Sequence, residues 1–439
     1  MSHVFPRHSR STPPIATRGE GIYLYDSNGK KYLDGSGGAA VSCLGHGDPD
    51  ITEAIKRQAD VLAFAHTGFL SSEPAEALAD KLIAHAPVGI DRVYFVSGGS
   101  EAVEAAMKLA RQYMIEIGQP SRTKFIARRQ SYHGNTLGAL GTGGNMWRRA
   151  PFEPVMVSAS HIAPCYEYRL KEEGESAEAY GLRAANELEA EILLLGPENV
   201  IGFLAEPVVG ATSGAVPAVQ GYFKRIREIC DTYGVLLILD EVMCGMGRTG
   251  TFFACEHDDI SPDIVTIAKG LGGGYQPIAA MLCTGQIYDA VRDGSGFFQH
   301  GHTYIGHPIA CAAALAVVTK LTDGGMTARA AQMGEILHNA LVAAFGQHAH
   351  VGDIRGRGMF RGIELVAERE TKAPFDPAKQ VAARFKKAAF ANGLICYPMN
   401  GTIDGQFGDH ILIAPPFIIS ENQIDELVGK LSDSLAEVL

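Results

Sequence analysis

A lysine and an aspartate each close an apolar run in the middle of the chain. Residues 235–240 read VLLILD and end in Asp240, and residues 263–269 read DIVTIAK and end in Lys269. A lysine withdrawn from water can lose its proton and act as an amine nucleophile. A carboxylate beside it can hold a protonated ring nitrogen. Pyridoxal phosphate (PLP) requires this pair of groups, with lysine as the Schiff-base residue and aspartate as the pyridinium partner.

The elements that must position these two groups are buried strands. Short runs of Leu, Ile and Val between turn residues are typical of strands covered on both faces, as in parallel sheets. Ligands of open α/β sheets bind at the edge where such strands end. The glycine-rich segment 270–274 allows the backbone to approach a ligand closely beside Lys269. The sequence therefore predicts a ligand site at the carboxyl edge of a parallel sheet.

Strand and helix patterns alternate over residues 75–283, which favours a mostly parallel sheet covered on both faces. Besides the two runs described above, we predict strands at 93–96, 124–127, 200–205 and 278–283. The predicted helices are 75–85, 100–117, 178–195 and 221–233.

The two ends of the chain predict a smaller α+β unit. Residues 22–33 have the pattern of a β-hairpin, and we expect this hairpin to join the C-terminal part. The predicted division is an N-terminal segment 1–60, a large domain 61–320 and a C-terminal part 321–439. The remaining predicted helices are 49–62, 309–320, 326–345, 379–391 and 421–435, and the remaining predicted strands are 351–355, 359–365, 394–397 and 410–413.

A glycine-rich turn follows the predicted strand 93–96 and leads directly into a helix. The turn reads Ser97-Gly98-Gly99-Ser100. Free backbone N–H groups at the positive end of a helix dipole form a phosphate site. A helix cap with Ser100 at the N-cap position explains the same residues. This turn therefore predicts either a phosphate site or a simple cap.

Two other strand ends, and the residues just after Asp240, carry candidate site residues. Tyr132 could stack on a pyridine ring and His133 could hydrogen-bond nearby, although a core aromatic with a satisfied histidine is the alternative. Glu206 follows six apolar residues and needs a partner, which a structural salt bridge would also provide. Val242 points to the same side as Asp240 in an extended chain and could pack on the opposite ring face.

The composition excludes several classes of partner. The net charge of −11 and the isoelectric point near 5.8 argue against nucleic acid and against an anionic membrane. Eight scattered cysteines without CxxC spacing are typical of reduced thiols, and we expect a cytoplasmic protein because no signal peptide or charge-free spanning segment is evident. His300, His302 and His307 fit no strong ligand pattern, so no metal site is predicted.

Together, these segments resemble the class III PLP-dependent aminotransferases. The matching stretches, in the same order and at similar separations, read SGGSEAVEAAMKLAR, SYHGNT, AEPVVGA, LILDEVMCGMGRTG, IAKGLGGGYQPIAA and HTYIGHPIACAAALA. YDSNGKKYLDG near the N-terminus and RGRGMFRGIEL near the C-terminus resemble that family too. The resemblance implies the fold of type I PLP-dependent transferases, with a seven-stranded, mostly parallel sheet.

The resemblance also implies a role for each residue. Lys269 would form the internal aldimine and move the proton between the substrate carbon and the cofactor, and Asp240 would pair with the pyridinium nitrogen. Thr303 would reach the phosphate of the neighbouring subunit, which implies a homodimer, with a tetramer left open. The other implied cofactor residues are Gly99 and Ser100 at the phosphate, Tyr132 and Val242 on the ring faces, and Glu206 in the same pocket. His133 is predicted as a cofactor residue from its strand end.

The departures from the family concern the substrate. Members that use 4-aminobutyrate with 2-oxoglutarate have arginines where this chain has Asn135 and Leu412, so both carboxylate clamps are absent. DEVMCGMGRTG instead resembles the branch that transfers amino groups from amines and ω-amino acids to pyruvate. That branch carries an arginine at the position of Gly405 and a tryptophan in the segment around Ala40, so a roomier pocket is implied.

We therefore predict a transaminase that moves an amino group from a primary amine or ω-amino acid to a small keto acid such as pyruvate. Three alternatives remain. The chain could use 2-oxoglutarate, it could be a racemase, aminomutase or decarboxylase with the same cofactor residues, or it could be a binding protein that kept the fold.

Overall fold

The computed structural model describes residues 3–439. Its strands, numbered in chain order, are β1 Ala16–Glu20, β2 Tyr23–Asp26, β3 Lys31–Asp34, β4 Ile90–Val96, β5 Lys124–Arg128, β6 Ser160–Ile162, β7 Val200–Ala205, β8 Val208–Val209, β9 Val216–Pro217, β10 Leu236–Asp240, β11 Ile264–Ile267, β12 Ala279–Thr284, β13 Val351–Arg357, β14 Phe360–Leu365, β15 Leu394–Ile395, β16 Tyr397–Asn400 and β17 Asp409–Ile413.

The helices are numbered in the same way. They are α1 Gly37–Ala40, α2 Pro49–Val61, α3 Glu73–Ile83, α4 Gly99–Glu116, α5 Leu137–Thr142, α6 Met146–Arg149, α7 Glu167–Leu170, α8 Ala177–Leu195, α9 Tyr222–Tyr233, α10 Gly285–Asp293, α11 Pro308–Thr322, α12 Met326–Phe345, α13 Val381–Ala391 and α14 Glu421–Ala436. Short 3-10 helices cover Ala150–Val155, Pro197–Asn199, Ala254–Asp258, Lys269–Leu271 and Pro377–Lys379.

A seven-stranded sheet with the order β4-β12-β11-β10-β7-β5-β6 forms the centre of the molecule. Strand β12 runs antiparallel to both of its neighbours, whereas the pairs β11-β10, β10-β7, β7-β5 and β5-β6 are parallel. The predicted mostly parallel sheet is therefore confirmed. Every residue of β7 and β10 is buried, as expected for apolar strands with helices on both faces.

Helices cover this sheet on both sides. Helix α4 packs against β7, β11 and β12 on one face, while α9 packs against β10 and α8 packs against α9 on the other. The buried side chains of α9 recur at the spacing of an amphipathic helix, and they include Phe223, Ile226 and Cys230. The carboxyl ends of the parallel strands are left free between these helices.

A smaller α+β unit contains two four-stranded sheets, with the orders β13-β14-β17-β16 and β1-β2-β3-β15. Strand β3 pairs with β15, so the N-terminal hairpin joins the C-terminal part of the chain as expected. The predicted domain limits at 60 and 320 stay a prediction.

One predicted strand was wrong in its extent. Residues 394–397 form parts of two strands, because Leu394 pairs with Leu33 in one sheet and Tyr397 pairs with Leu412 in the other. Cys396 lies buried between them, where the chain passes from one sheet to the next. Near the N-terminus, Ala16–Glu20 form strand β1, while residues 1 and 2 lie outside the described part.

Within residues 3–439, no single helix has the length and hydropathy needed to cross a membrane. Helices α11 and α12 meet that test only as a pair bent by 61°, and only by length and composition. Helix α11 packs against α2 and α3, and most of its apolar residues are buried inside the protein. Its hydrophobicity is thus explained by its position in the core.

Candidate active site

A cavity of about 280 Å³ opens at the carboxyl edge of the seven-stranded sheet. Loops that follow β4, β5, β7, β10 and β11 form its wall, because the ends of these strands lie side by side. Eight predicted site residues line it, namely Gly99, Ser100, Tyr132, His133, Glu206, Asp240, Val242 and Lys269. The structure therefore brings together residues that are up to 170 positions apart (269 − 99) in the chain.

Asp240 is held in a fixed orientation by three neighbours. Its Oδ2 atom lies 2.8 Å from Nδ1 of His133, and its Oδ1 atom accepts a hydrogen bond from the backbone N–H of Val242 at 3.0 Å. The hydroxyl of Thr266 donates to Oδ1 at 3.4 Å. We assign the ring proton of His133 to Nδ1, since that atom faces a carboxylate. The buried aspartate is thus pre-oriented at the floor of the cavity.

Lys269 lies two residues after the end of β11 and is withdrawn from solvent. Its backbone has φ of +42°, an uncommon conformation for a residue with a Cβ, which turns the chain into the glycine-rich segment. Burial lowers the pKa of its amine, while the charges of Asp240 and Glu206 raise that pKa again in part. A larger fraction of the amine is therefore neutral than in a solvent-exposed lysine, as a nucleophile or a base requires.

Glu206 follows β7 and binds backbone groups rather than a cation. Its Oε1 accepts from the N–H of Tyr132 at 3.0 Å, and its Oε2 accepts from the N–H of Gly210 at 2.8 Å. Burial, above all, and the charge of Asp240 raise the pKa of Glu206, whereas the cationic form of His133 would lower that pKa. The alternative of a structural salt bridge is wrong within the described residues, because Glu206 forms no ion pair there. This carboxylate fixes the backbone that carries Tyr132.

The N-terminus of α4 faces the cavity without a side-chain cap among the described residues. Its N-cap residue is Gly98, so the alternative in which Ser100 caps the helix is wrong. Ser100 instead lies in the first turn, and its Oγ accepts from the N–H of Asn135 at 3.2 Å. A Cβ built on Gly99 would lie 2.8 Å from Cγ1 of Val242, so the helix start and that side chain are in close contact.

These groups fit a phosphorylated pyridine. An uncapped helix N-terminus suits a phosphate, an oriented buried carboxylate suits a protonated ring nitrogen, and an amine with a lowered pKa suits an aldehyde. Nε2 of His133 is buried and has no hydrogen-bond partner within residues 3–439. The donor set therefore agrees with PLP, as the sequence predicted. The individual roles stay predictions.

Four predicted residues lie outside the cavity lining. Ala40 is buried in an apolar cluster with Met243 and Leu412, and its neighbour Val41 lines the cavity instead. Asn135 is exposed, and its Oδ1 lies 3.2 Å from the hydroxyl of Ser100. The other two are Gly405 and Thr303.

Gly405 packs against helix α6, since a Cβ built on it would lie 3.2 Å from the backbone nitrogen of Trp147. Thr303 is exposed on its own chain. Within one chain Thr303 does not line the cavity, and its predicted contact with a second subunit stays a prediction.

The sequence reasoning missed several residues at the site. Gln276, Pro277 and Ile278 line the cavity because the glycine-rich segment turns back before β12. Arg148 was also missed, although its guanidinium carbon lies 4.8 Å from the centroid of the Tyr132 ring. No periodicity signals Arg148, since it belongs to a four-residue helix in a loop region.

Comparisons with known proteins identify the family. A family model described as aminotransferase class-III matches residues 4–435. An uncharacterized aminotransferase of Schizosaccharomyces pombe is 46% identical over 439 residues, covering 100% of this chain and 96% of that protein. An uncharacterized aminotransferase of Bacillus subtilis is 41% identical over 437 residues, covering 100% and 98%. The chain belongs to the class III aminotransferases.

Relatives with more specific names differ in their reactions. The diaminobutyrate–2-oxoglutarate transaminase of Halomonas elongata is 35% identical over 437 residues, covering 98% of this chain and 92% of that protein. A thermostable (S)-enantioselective omega-transaminase from Thermomicrobium roseum superposes with a TM-score of 0.93 at 35% identity, covering 100% and 96%. An omega transaminase from Pseudomonas jessenii, solved in complex with PMP, superposes with a TM-score of 0.93 at 33% identity. The match covers 100% of this chain and 96% of that chain. The fold is thus that of the PLP-dependent transaminases.

Proposed function

We propose that this aminotransferase uses PLP to move an amino group from a primary amine or ω-amino acid to a small keto acid, with pyruvate as the acceptor. The observation that carries the proposal is the buried amine of Lys269 in one cavity with the oriented carboxylate of Asp240. The complex of the P. jessenii relative with PMP supports the same cofactor class.

The residues that would hold the cofactor are those of the cavity wall. Bound there, PLP supplies an aldehyde and an electron-withdrawing ring that lowers the barrier to proton loss at the substrate carbon. The N–H groups of Gly99 and Ser100 at the start of α4 would bind its phosphate. Tyr132 and Val242 would contact the two ring faces, and Asp240 would keep a proton on the ring nitrogen.

Lys269 would serve as both nucleophile and proton carrier. In its neutral form, Nζ can accept a proton from the substrate carbon, and in its cationic form it can return one. Glu206 supports this role indirectly, because it holds the backbone of Tyr132 at 3.0 Å and its charge acts on the lysine.

The choice of acceptor follows from the absent arginines. A dicarboxylate such as 2-oxoglutarate needs a bidentate cation for its distal carboxylate. Asn135 and Leu412 occupy the positions where the 2-oxoglutarate enzymes have arginine, and Leu412 is fully buried in an apolar cluster. A monocarboxylate with a short chain avoids this requirement. The similarity to omega-transaminases supports the same choice.

The alternative acceptor is 2-oxoglutarate, which the name of the H. elongata relative favours. A racemase or aminomutase on the same fold is a further alternative, since ring chemistry is shared and the pocket determines the product. Such an enzyme needs no keto-acid co-substrate for turnover, whereas a transaminase does.

We further propose a homodimer in which Thr303 reaches the phosphate of the second subunit. Exposed apolar side chains on the segments around 61–70 and 297–304 support an interface there, since Phe69, Phe297 and Tyr304 are each more than half exposed in one chain. All eight cysteines are buried thiols without a disulfide in residues 3–439, which is compatible with the cytoplasmic location that we propose.

The test starts from purified protein loaded with PLP. Borohydride reduction should leave the cofactor covalently attached to Lys269, as read by mass spectrometry of the labelled peptide, and K269A should carry none. Amino donors are then screened against pyruvate and 2-oxoglutarate. We expect turnover that depends on a keto acid, with pyruvate preferred.

Two results would contradict parts of this proposal. Conversion of 2-oxoglutarate but not of pyruvate, with every donor, would overturn the acceptor assignment. Turnover of an amino compound without any keto acid would replace transamination by racemisation or amino migration.

A further inference from the structure

Arg148 presents an unpaired cation beside the candidate site. Helix α6 carries it, and the side chain of Asn145 caps that helix by accepting from the N–H of Arg148 at 3.3 Å. Its guanidinium forms no ion pair within residues 3–439, and its Nε is buried without a hydrogen-bond partner there. A cation held in this way has its hydrogen-bonding capacity available for a ligand.

Two other arginines of this region, Arg149 and Arg128, are committed to the protein. Nη1 of Arg149 donates to the carbonyl of Gly141 at 2.5 Å and also to that of Leu140. Arg128 donates to the backbone carbonyl of Glu206. Arg148 therefore differs from both in having no acceptor of its own among the described residues.

Stacking determines how Arg148 can bind. Its guanidinium carbon lies 4.8 Å from the centroid of the Tyr132 ring, which itself lines the cavity. A guanidinium over an aromatic face is held by cation–π attraction, while its N–H groups point outward from its edges. Those edges can form two parallel hydrogen bonds to a carboxylate.

Arg148 also lies next in the chain to a residue that contacts Gly405, where the expected arginine is absent. Gly405 occupies the place of an arginine in the amine:pyruvate branch. A Cβ built on Gly405 would lie 3.2 Å from the backbone nitrogen of Trp147, which directly precedes Arg148. The loop that lacks the cation thus abuts the helix that has one. The acids Glu206 and Asp240 in the cavity would otherwise repel an incoming carboxylate.

We propose that Arg148 binds the carboxylate of the substrate at the mouth of the cavity, in place of the arginine that is absent at Gly405. This inference rests on the proposed function, because it concerns the carboxylate of the keto acid and of ω-amino acid donors. Arg148 is accordingly a specificity-determining residue, and amines without a carboxylate do not depend on it.

The experiment compares R148Q, R148K and the wild-type holoenzyme. R57Q is the matched control, since Arg57 is an exposed arginine on α2 and its loss changes the net charge equally. The first readout is the dissociation constant of propionate, a non-reacting carboxylate, measured by calorimetry on the holoenzyme, with propionamide as the neutral probe. The second readout is the rate of the single-turnover reaction with 1-phenylethylamine, which has no carboxylate. The third is the KM of pyruvate.

We expect R148Q to weaken propionate binding and to raise the KM of pyruvate by about tenfold to a hundredfold, as for loss of a charged hydrogen-bonding partner. Propionamide binding and the reaction of 1-phenylethylamine should change by less than about threefold. R148K should be intermediate, because lysine keeps the charge but not the planar fork. R57Q should match the wild type.

Unchanged propionate binding in R148Q would overturn the inference. An equal loss for propionate and 1-phenylethylamine would overturn it as well, since that pattern indicates a structural role. If the wild-type enzyme transaminates no substrate, while R148Q still weakens propionate binding, the proposed function fails and the carboxylate site stands.

Discussion

Nδ1 of His133 lies 2.8 Å from Oδ2 of Asp240, and both side chains are almost fully buried. A buried carboxylate is costly unless it is hydrogen-bonded, and this contact supplies such a hydrogen bond. It also aims the second oxygen, Oδ1, which Val242 and Thr266 contact. The carboxylate of Asp240 is thus oriented by neighbours at the ends of β5, β10 and β11.

Replacing Asp240 tests this charge. We expect D240N to lower kcat/KM by at least about a hundredfold, because a neutral amide cannot keep a proton on the ring nitrogen. Steady-state kinetics with saturating PLP measures the effect. The control is E241Q, which removes the next carboxylate in the chain; Glu241 points away from the cavity and accepts from the N–H of Cys255 at 2.8 Å. Equal losses in both variants would contradict the assignment.

The charge of Glu206 acts on the pKa of Lys269, and the direction of this effect can be measured. Glu206 raises the pKa of the lysine amine, so E206Q should lower that pKa further and increase the neutral fraction near pH 8. The measurement is the pH dependence of the rate at which the apoenzyme captures PLP, trapped by borohydride. The midpoint should move to lower pH in E206Q.

The chain offers a matched control for this variant. Glu104 also accepts two backbone N–H groups, from Gly138 at 2.8 Å and Ala139 at 3.0 Å, and it lies outside the cavity lining. E104Q should leave the midpoint where it is in the wild type. A midpoint that stays constant in E206Q as well would show that the charge of Glu206 does not reach the amine.

Gly99 should tolerate no side chain. Since its Cβ would lie 2.8 Å from Cγ1 of Val242, G99A must displace either the helix start or the valine, at a cost of about 1 to 3 kcal/mol. We expect weaker PLP binding, measured by fluorescence titration of the apoenzyme. Trimming the valine in G99A/V242A should recover most of the affinity lost relative to V242A alone. If G99A/V242A binds PLP no better than G99A, the added methyl group does not act through Val242.

Glu241 should make stability depend on pH. Burial raises its pKa to about 7 from an ordinary 4.5, so between these values the folded protein holds a proton that the unfolded chain has lost. The contribution of Glu241 to the free energy of unfolding is fully present below about pH 4.5 and is lost as the pH rises through 7. The whole loss is roughly 3 kcal/mol. The Tm of E241Q minus that of the wild type should therefore grow between pH 5 and pH 8. A constant difference would contradict the raised pKa.

Most elements of the large sheet could be predicted because their signals are local. The predicted strand 200–205 has the observed limits, and the helix predicted at 100–117 is found at Gly99–Glu116. The strand at 394–397 failed for the opposite reason. Its apolar residues satisfy one strand pattern, while their partners Leu33 and Leu412 belong to different sheets. Pairing between distant segments leaves no periodic signal in either of them.

The sequence alone predicted which residues meet at the carboxyl edge of the sheet. Lys269, Asp240 and Glu206 each directly follow an apolar strand or close it, and parallel strands place their ends at one edge, so local patterns were sufficient. The tertiary structure decided how the loops around the cavity pack. Ala40 is buried in an apolar cluster, Gly405 contacts Trp147, and the guanidinium of Arg148 stacks on the ring of Tyr132. These contacts join irregular loops whose conformation depends on packing against distant parts of the chain, and no residue spacing encodes them.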